Sequence, residues 1–304
     1  MTIAPRPRFS VRTGLASAPE HDGPFEGVPD HLVVPLQHWV VDALSNEDLI
    51  VSLSQEDSAE ETAYFDEDSA ARAVCLRLRI PPRPDRSMGG SMYFDALAST
   101  IDEDLLDVID TLLELTSQAG IDDPRSLRML TALLDDGGSV YRVNELADGL
   151  EERVAPAVRD AVHQAVADAA ARPTAGSAAD HLAAAWRAAY GRNPDPVRTY
   201  SESIKAVECA AKAVIEPNNA KATLGSMLAV IRNSRQKFVT AIPSPGDPSA
   251  SVEAMMRALW EGQTSRHGSD TPTVPETSEA ARAGVHLAAV LVQWFSSGAV
   301  ARIP

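Results

Sequence analysis

The sequence predicts an all-α, mostly helical protein built from two regions. Apolar residues recur every three or four positions along most segments, which is the spacing of a helix with one side facing a core. Alanine- and leucine-rich stretches are common, whereas the alternation of β-branched and aromatic residues that is typical of strands is rare. With 304 residues and 44% hydrophobic content, the chain is long enough for two domains with cores of their own.

The formal net charge of −16 is distributed unevenly along the chain. Residues 196–304 contain 11 Lys and Arg against 9 Asp and Glu, whereas residues 1–195 contain 16 against 34. Because phosphate contacts need Lys and Arg, the acidic region is a poor candidate for nonspecific nucleic-acid binding. The asymmetry indicates two units with different roles, and it leaves a protein partner open for the acidic one.

The sequence contains no signal for a membrane or for a cofactor. No uncharged apolar run reaches about 18 residues, and residues 1–23 lack the apolar segment of a signal peptide. Cys75 and Cys209 are isolated thiols without a metal-binding spacing, which suits the reducing cytoplasm. The sequence therefore predicts a cytoplasmic protein with no membrane partner, no cofactor and no metal site.

The amino-terminal part is interpreted as an arm followed by a helical domain. Residues 1–28, rich in Pro, Gly, Ser and charge, are expected to form a flexible arm, and residues 29–192 an acidic, mostly helical domain of unknown role. Helices are predicted over Asp30–Leu44, Ile101–Ser117, Asp123–Leu134, Ala155–Arg172 and Ala178–Tyr190. Two segments stay open: Val74–Ile80 fits a strand or a helix that stops before Pro81, and Ser139–Asn144 fits a strand or a tight connection.

A second domain, residues 193–304, is predicted to begin at the run Gly191-Arg-Asn-Pro-Asp-Pro196, because prolines stop one helix and start another. Its helices are predicted over Asp195–Ile215, Lys221–Arg232, Val252–His267 and Ser278–Ser297. The last helix is apolar on nearly all sides, so it should be the buried member of a bundle. His286 lies in this helix, where a hydrogen-bonded core histidine is expected; an approach to Glu208 is the alternative.

The candidate site lies where the helix Val252–His267 ends in Arg266-His267-Gly268. Gly268 suits the residue that follows a helix, and cations in the last turn complement the helix dipole. On the helix Asp195–Ile215, Glu208 falls within the apolar stripe, where a carboxylate must be paired or protonated. The sequence therefore predicts a cluster of Glu208, Arg266 and His267.

Two interpretations of this cluster are open. It can be a structural ion pair that joins two helices. Alternatively, Glu208 orients His267 as an acid–base group, and Arg266 stabilises a developing negative charge.

The carboxy-terminal region also resembles a known family. The segments that carry the resemblance are Pro194-Asp-Pro196, Tyr200-Ser-Glu-Ser-Ile-Lys-Ala-Val-Glu208, Lys221-Ala-Thr-Leu-Gly225, the Arg266-His267-Gly268 helix end and the apolar terminal helix. Over residues 194–300, about a third of the chain, they resemble the carboxy-terminal domain of bacterial abortive-infection proteins, which is similar to the HEPN superfamily. The resemblance implies an all-α HEPN-like bundle, a role in phage defence, and metal-independent cleavage of RNA by an Arg and a His that act across a homodimer interface.

The chain departs from the family at one point. In the family, the Arg and the His lie on one helix, separated by four to six residues, and the reaction leaves a cyclic phosphate. That spacing, counted back from His267, falls on Gly262, Glu261 and Trp260, so Arg266 would have to substitute. Two functions therefore stay open: a ribonuclease or a degenerate relative of one, and a non-enzymatic oligomerisation or adaptor protein whose bundle only dimerises.

Overall fold

The computed structural model describes residues 9–13, 15, 24–54, 68–83, 91–242, 246–266 and 273–303, and only the backbone of Ser54 and Arg266. Over these residues the chain is mostly helical, and its strands form two short two-stranded sheets. The predicted all-α class is confirmed. The chain divides into two compact units, one that ends at Leu150 and one that begins at Glu151. The arm predicted for residues 1–28 lies mostly outside the described residues.

The first unit is built around the apolar sides of three helices. Its elements are α1 (Phe9–Arg12), α2 (Asp30–Leu44), α3 (Glu47–Ser54), α4 (Ser69–Leu78), α5 (Met92–Leu97), α6 (Asp102–Gln118), α7 (Pro124–Asp136) and β1 (Tyr141–Val143), and β2 (Leu150–Glu152) spans the end of this unit and the start of the second. Leu36 of α2, Ile109 of α6 and Leu134 of α7 are fully buried in one core. The sequence left two segments undecided between a strand and another structure. In the structure, residues 74–78 belong to helix α4, and residues 141–143 form a strand.

The second unit is a helical bundle. Its elements are α8 (Pro156–Ala170), α9 (Ala178–Tyr190), α10 (Pro196–Ile215), α11 (Leu224–Asn233), β3 (Phe238–Thr240), α12 (Ala250–Gly262), α13 (Ser278–Ser297) and β4 (Val300–Arg302). Helix α13 packs against α8, α9, α10 and α12, and its Val285, Leu291 and Val292 are fully buried. The terminal helix is therefore the buried member of the bundle, as predicted. Antiparallel β3 and β4 pair Phe238 with Arg302 and Thr240 with Val300.

The boundary between the units differs from the one that the prolines predicted. Helices α8 and α9 pack with α10 and α13, because small side chains such as Ala165 and Ala185 are fully buried between them. The run 191–196 is consequently a turn inside the second unit. There, Asp195 accepts a hydrogen bond of 2.9 Å from the backbone N–H of Arg198 and begins α10.

Candidate functional site

Glu208 lies on α10, and its partner is a backbone group. Glu208 Oε1 accepts a hydrogen bond of 2.6 Å from the backbone N–H of Leu224, the first residue of α11. Burial raises the pKa of Glu208, while this hydrogen bond and the charge of Lys205 oppose the rise. Because the N-terminus of a helix attracts negative charge, this hydrogen bond offsets part of the cost of burying the carboxylate. The Glu208 side chain thus connects α10 to the first residue of α11 through a hydrogen bond.

The helix that carries the predicted site ends earlier than the sequence indicated. Helix α12 stops at Gly262, and a 3-10 turn over Thr264–Arg266 follows. A Cβ atom at position 262 would lie 2.5 Å from the hydroxyl oxygen of Tyr200, so only glycine allows α12 to approach α10 this closely. His267 and Gly268 lie outside the described residues, and the Arg266 side chain is not described. The predicted cluster with Glu208 therefore stays a prediction.

A different carboxylate holds the turn before Arg266. Glu276 is buried, and its Oε1 accepts hydrogen bonds from the backbone N–H of Ser265 at 2.9 Å and from the Ser265 hydroxyl at 2.8 Å. Burial alone would raise the pKa of Glu276, but these hydrogen bonds lower it overall. Its negative charge, after burial, contributes to the raised pKa of Tyr200. Glu276 and Tyr200 thus border the chain where it leaves α12.

Helix α13 carries the clearest group of titratable side chains. Tyr190 Oη and His286 Nε2 share a hydrogen bond of 2.9 Å, whose direction follows the histidine tautomer. The expected hydrogen-bonded histidine is thus confirmed. Burial, and then the charge of Arg282, lower the pKa of His286 below its usual 6.5, so the ring is neutral near pH 7. Burial raises the pKa of Tyr190, so its hydroxyl keeps its proton.

Arg282 lies one helical turn before His286 and is held from two sides. Its Nη1 donates to Glu152 Oε1 at 3.1 Å, and its Nη2 donates to the second oxygen of the same carboxylate. The guanidinium also stacks over the Tyr190 ring, 5.0 Å from the ring centre. Its side chain keeps 33% of its surface exposed. Arg282 is therefore a positioned cation that an anionic group can still reach.

Buried Trp186 extends the cluster. Its ring centre lies 4.3 Å from that of Tyr190 and 6.1 Å from that of His286, and its Nε1 donates to Glu151 Oε2 at 3.2 Å. Rings packed in this way resist rotation, because the protein interior is close-packed. The indole thus fixes the orientation of the Tyr190–His286 pair.

The exposed side of His286 faces a groove of about 420 Å³ between α8 and α13. The groove walls are small and apolar, with Val158, Ala161, Ala165, Ala289 and Val290 among them, and Trp294 and Gln293 lie further along α13. Gln293 Nε2 donates to Asp168 Oδ2 at 2.7 Å, and the hydrogen bonds from Gln293 and Gln164 lower the pKa of Asp168. Gln293 Oε1 is buried and has no hydrogen-bond partner, which costs about 1–3 kcal/mol.

Sequence analysis missed Tyr190, Arg282 and Glu276 as site residues. Arg282 and His286 are one turn apart on a single helix, so their spacing was a readable signal. Tyr190 is 96 residues from His286 along the chain, and only the packing of α9 on α13 brings the two together. Nothing in the sequence distinguishes Glu276 from other acidic loop residues.

Comparisons with family models, with curated proteins and with solved structures find no significant match for this chain. In the described part of the chain, no three His, Cys, Asp or Glu side chains converge in a way that could hold a metal ion. None of the helices in that part combines the length and the apolar character that a bilayer crossing requires.

Proposed function

We propose that this chain is an abortive-infection-like phage-defence protein whose carboxy-terminal unit is a HEPN-like bundle that cleaves RNA without a metal ion. The observation that carries the proposal is the pair Arg282 and His286, a positioned cation and a neutral imidazole one turn apart on α13. The resemblance over residues 194–300 supports the biological class. The isolated thiols Cys75 and Cys209 support a cytoplasmic location.

The proposed reaction needs one base, one cation and no cofactor. Neutral His286 takes the proton of an RNA 2′-hydroxyl, whose oxygen then attacks the adjacent phosphorus. Arg282 stabilises the negative charge that develops on the phosphoryl oxygens. The bond from phosphorus to the 5′-oxygen breaks, and this oxygen takes the proton back from the His286 imidazolium. The products are a 2′,3′-cyclic phosphate and a 5′-hydroxyl, and Tyr190 keeps the imidazole in position.

The test is RNA cleavage by the full-length chain in the presence of EDTA. His286→Ala should lower the rate by about 100- to 10,000-fold, the usual contribution of general acid–base catalysis. Because the pKa of His286 lies below 6.5, the wild-type rate should fall only when the pH drops below that value. Replacement of His38, an exposed residue of α2 in the other unit, is the matched control and should leave the rate unchanged.

A parallel His267→Ala variant separates this proposal from the cluster that the sequence indicated. If His267→Ala loses cleavage and His286→Ala keeps it, the catalytic residues are Arg266 and His267 instead. If wild-type protein, as a purified dimer, leaves total RNA intact, the ribonuclease function fails.

A non-enzymatic adaptor or oligomerisation protein is the second candidate. It is favoured by the exposure of Val158 and Val290 on the two sides of the α8–α13 groove, at 36% and 42%. Such apolar surface can bury itself in a homodimer. Light scattering that shows a dimer, together with intact RNA, would support this function. In either case the acidic unit would sense, inhibit or localise by binding a protein partner.

A further inference from the structure

The first unit contains an apolar cavity that the proposed reaction does not use. Buried Trp39 of α2 and Leu113 of α6 form part of its floor. Half-buried and exposed apolar side chains of three further segments form its walls: Ile121, Leu127 and Leu146. Leu146, in the turn after β1, keeps 61% of its surface exposed. The cavity is therefore open to a partner at the protein surface.

The cavity is already formed, and it has room for about one large side chain. Trp39 Nε1 donates to the backbone oxygen of Ser126 at 3.0 Å, and Asp123 accepts from the backbone N–H of Ser126 at 3.0 Å. These contacts fix the indole and the start of α7, so binding needs little rearrangement. The volume of about 210 Å³ lies below the range of about 300–1,000 Å³ that is usual for small-molecule sites. Cavities of about 150 Å³ hold a benzene molecule, so one aromatic side chain fits, as the anchor residue of an interface does.

The charges at the rim select what accompanies such an anchor. Asp122 and Asp123 line the cavity, and no Lys, Arg or His is among the described residues that line it. Arg125 and Arg128 are exposed nearby, but the helical period puts them on the side of α7 away from Leu127. Residues 1–150 contain 28 Asp and Glu against 11 Lys and Arg. The rim and the unit as a whole are therefore complementary to a cationic partner.

We propose that this cavity binds a basic segment of a partner protein, which inserts one aromatic or large aliphatic side chain and places Lys or Arg beside Asp122 and Asp123. The inference names the chemistry of the protein partner proposed for the acidic unit and rests on that part of the proposed function. It does not require cleavage of RNA. Burial of the anchor supplies most of the affinity, because exposed ion pairs are individually weak. The carboxylates supply selectivity, since they repel an acidic partner.

The direct test is binding of three capped pentapeptides to the full-length protein, measured by saturation-transfer NMR and calorimetry. Gly-Lys-Phe-Lys-Gly has the anchor and the charges, Gly-Lys-Ala-Lys-Gly lacks the anchor, and Gly-Glu-Phe-Glu-Gly has the opposite charges. The first peptide should bind about tenfold or more tightly than the second, because a phenylalanine ring leaves water. It should bind about three- to thirtyfold more tightly than the third, and added salt should reduce this second difference.

Two threonine variants test whether the anchor occupies the cavity. Thr116→Leu on α6 fills the cavity and should weaken binding of the Lys-Phe-Lys peptide by about tenfold or more. Thr131→Leu on α7 is the matched control, because each of these hydroxyls donates to the carbonyl four residues earlier in its own helix. Thr131 is exposed and outside the cavity, so its variant should bind as the wild type does. Leu146→Ala removes an exposed part of the wall and should weaken binding without a change in the buried core.

Two carboxylate variants test the selection by charge. Asp122→Asn removes a charge from the rim and should weaken binding of the Lys-Phe-Lys peptide by about two- to fivefold, the usual contribution of an exposed ion pair. Binding of the Glu-Phe-Glu peptide should not weaken. Asp136→Asn, at an exposed carboxylate at the other end of α7, should change neither. Circular dichroism checks that each variant is folded.

The outcomes separate this proposal from the ribonuclease function. Absence of peptide binding, or binding that both Thr116→Leu and Leu146→Ala leave unchanged, overturns the site even if RNA is cleaved. Equal affinity for the Lys-Phe-Lys and Glu-Phe-Glu peptides overturns the basic partner. Conversion of a dimer to a monomer by Thr116→Leu also overturns the proposal, because a second copy of the chain would then cover the cavity. Selective peptide binding without RNA cleavage supports the cavity and removes the ribonuclease.

Discussion

At the residue scale, two carboxylates of the second unit, Glu208 and Glu276, accept hydrogen bonds from backbone or hydroxyl donors. Glu208 accepts from the N–H of Leu224, and Glu276 accepts from the N–H and the hydroxyl of Ser265. A backbone N–H at a helix end or turn is fixed in direction and adds no side-chain entropy cost, so it is an effective partner for a carboxylate. The backbone hydrogen bond thus offsets part of the cost of placing Glu208 within an apolar stripe.

Two variants of Glu208 test this account through the free energy of unfolding. Glu208→Ala leaves the N–H of Leu224 without its acceptor and should cost about 1–3 kcal/mol. Glu208→Gln keeps an acceptor oxygen and should cost less. Because the folded-state pKa of Glu208 is raised above 4.5, the folded protein binds its proton more tightly than the unfolded chain does. Its contribution to stability therefore decreases as the pH rises above 4.5.

Urea unfolding between pH 4 and pH 7 provides the measurement for these variants. The stability of Glu208→Gln relative to wild type should increase over this range, since the variant has no proton to lose. A constant difference would show that the environment of Glu208 does not favour its protonated form.

At the element scale, close approach of helices shapes the region around the candidate site. Gly262 at the end of α12 and Gly284 on α13 both face Tyr200 on α10. A Cβ atom at position 262 would lie 2.5 Å from the Tyr200 hydroxyl oxygen, and one at position 284 would lie 3.2 Å from the ring. The bulky ring occupies the space that two glycines leave, so three helices meet around one side chain. This contact brings the end of α12 close to the first turns of α13.

Gly262→Ala should destabilise the protein by about 1–3 kcal/mol, because the new methyl group overlaps the Tyr200 hydroxyl. Tyr200→Phe removes that oxygen and should recover part of the loss in the double variant. Thermal unfolding of the four proteins of this double-mutant cycle measures the coupling. Additive effects of the two substitutions would contradict the proposed contact.

At the scale of the whole molecule, two separate cores coincide with a division of charge. One core lies between residues 28 and 150 and the other between residues 162 and 300. Residues 151–304 contain 16 Lys and Arg against 15 Asp and Glu, which leaves 11 against 28 in residues 1–150. The structural boundary therefore separates an acidic unit from a nearly neutral one, as the boundary predicted from the prolines also does. Under the proposed ribonuclease function, we expect RNA to contact the nearly neutral second unit, because the acidic unit repels phosphate.

Two fragments test the boundary. A fragment of residues 151–304 keeps every residue of the second core and should give a helical circular-dichroism spectrum with one cooperative thermal transition. A fragment of residues 193–304 lacks α8 and α9, and it exposes the apolar sides of α10 and α13 that these helices cover. It should aggregate or unfold without cooperativity. A cooperative transition in the shorter fragment would favour the proline boundary instead.

The helical elements of this chain are determined by the sequence by itself. Asp30–Leu44, Ala178–Tyr190 and Ser278–Ser297 were predicted to the residue, because apolar periodicity and local end signals specify a helix without reference to distant residues. The packing of α13 against four other helices follows equally from its composition, since a helix that is apolar on most sides is buried in a bundle.

The tertiary structure alone decided the unit boundary, the end of α12 and the partners of each titratable group. Proline marks where a helix stops but not which helices pack together, so the turn at 191–196 looked like a boundary between domains. Gly262, the last residue of α12, lies against Tyr200 of another helix. Tyr190 meets His286, and Glu152 meets Arg282, across 96 and 130 residues of chain. Such contacts depend on packing in three dimensions, which local periodicity does not encode.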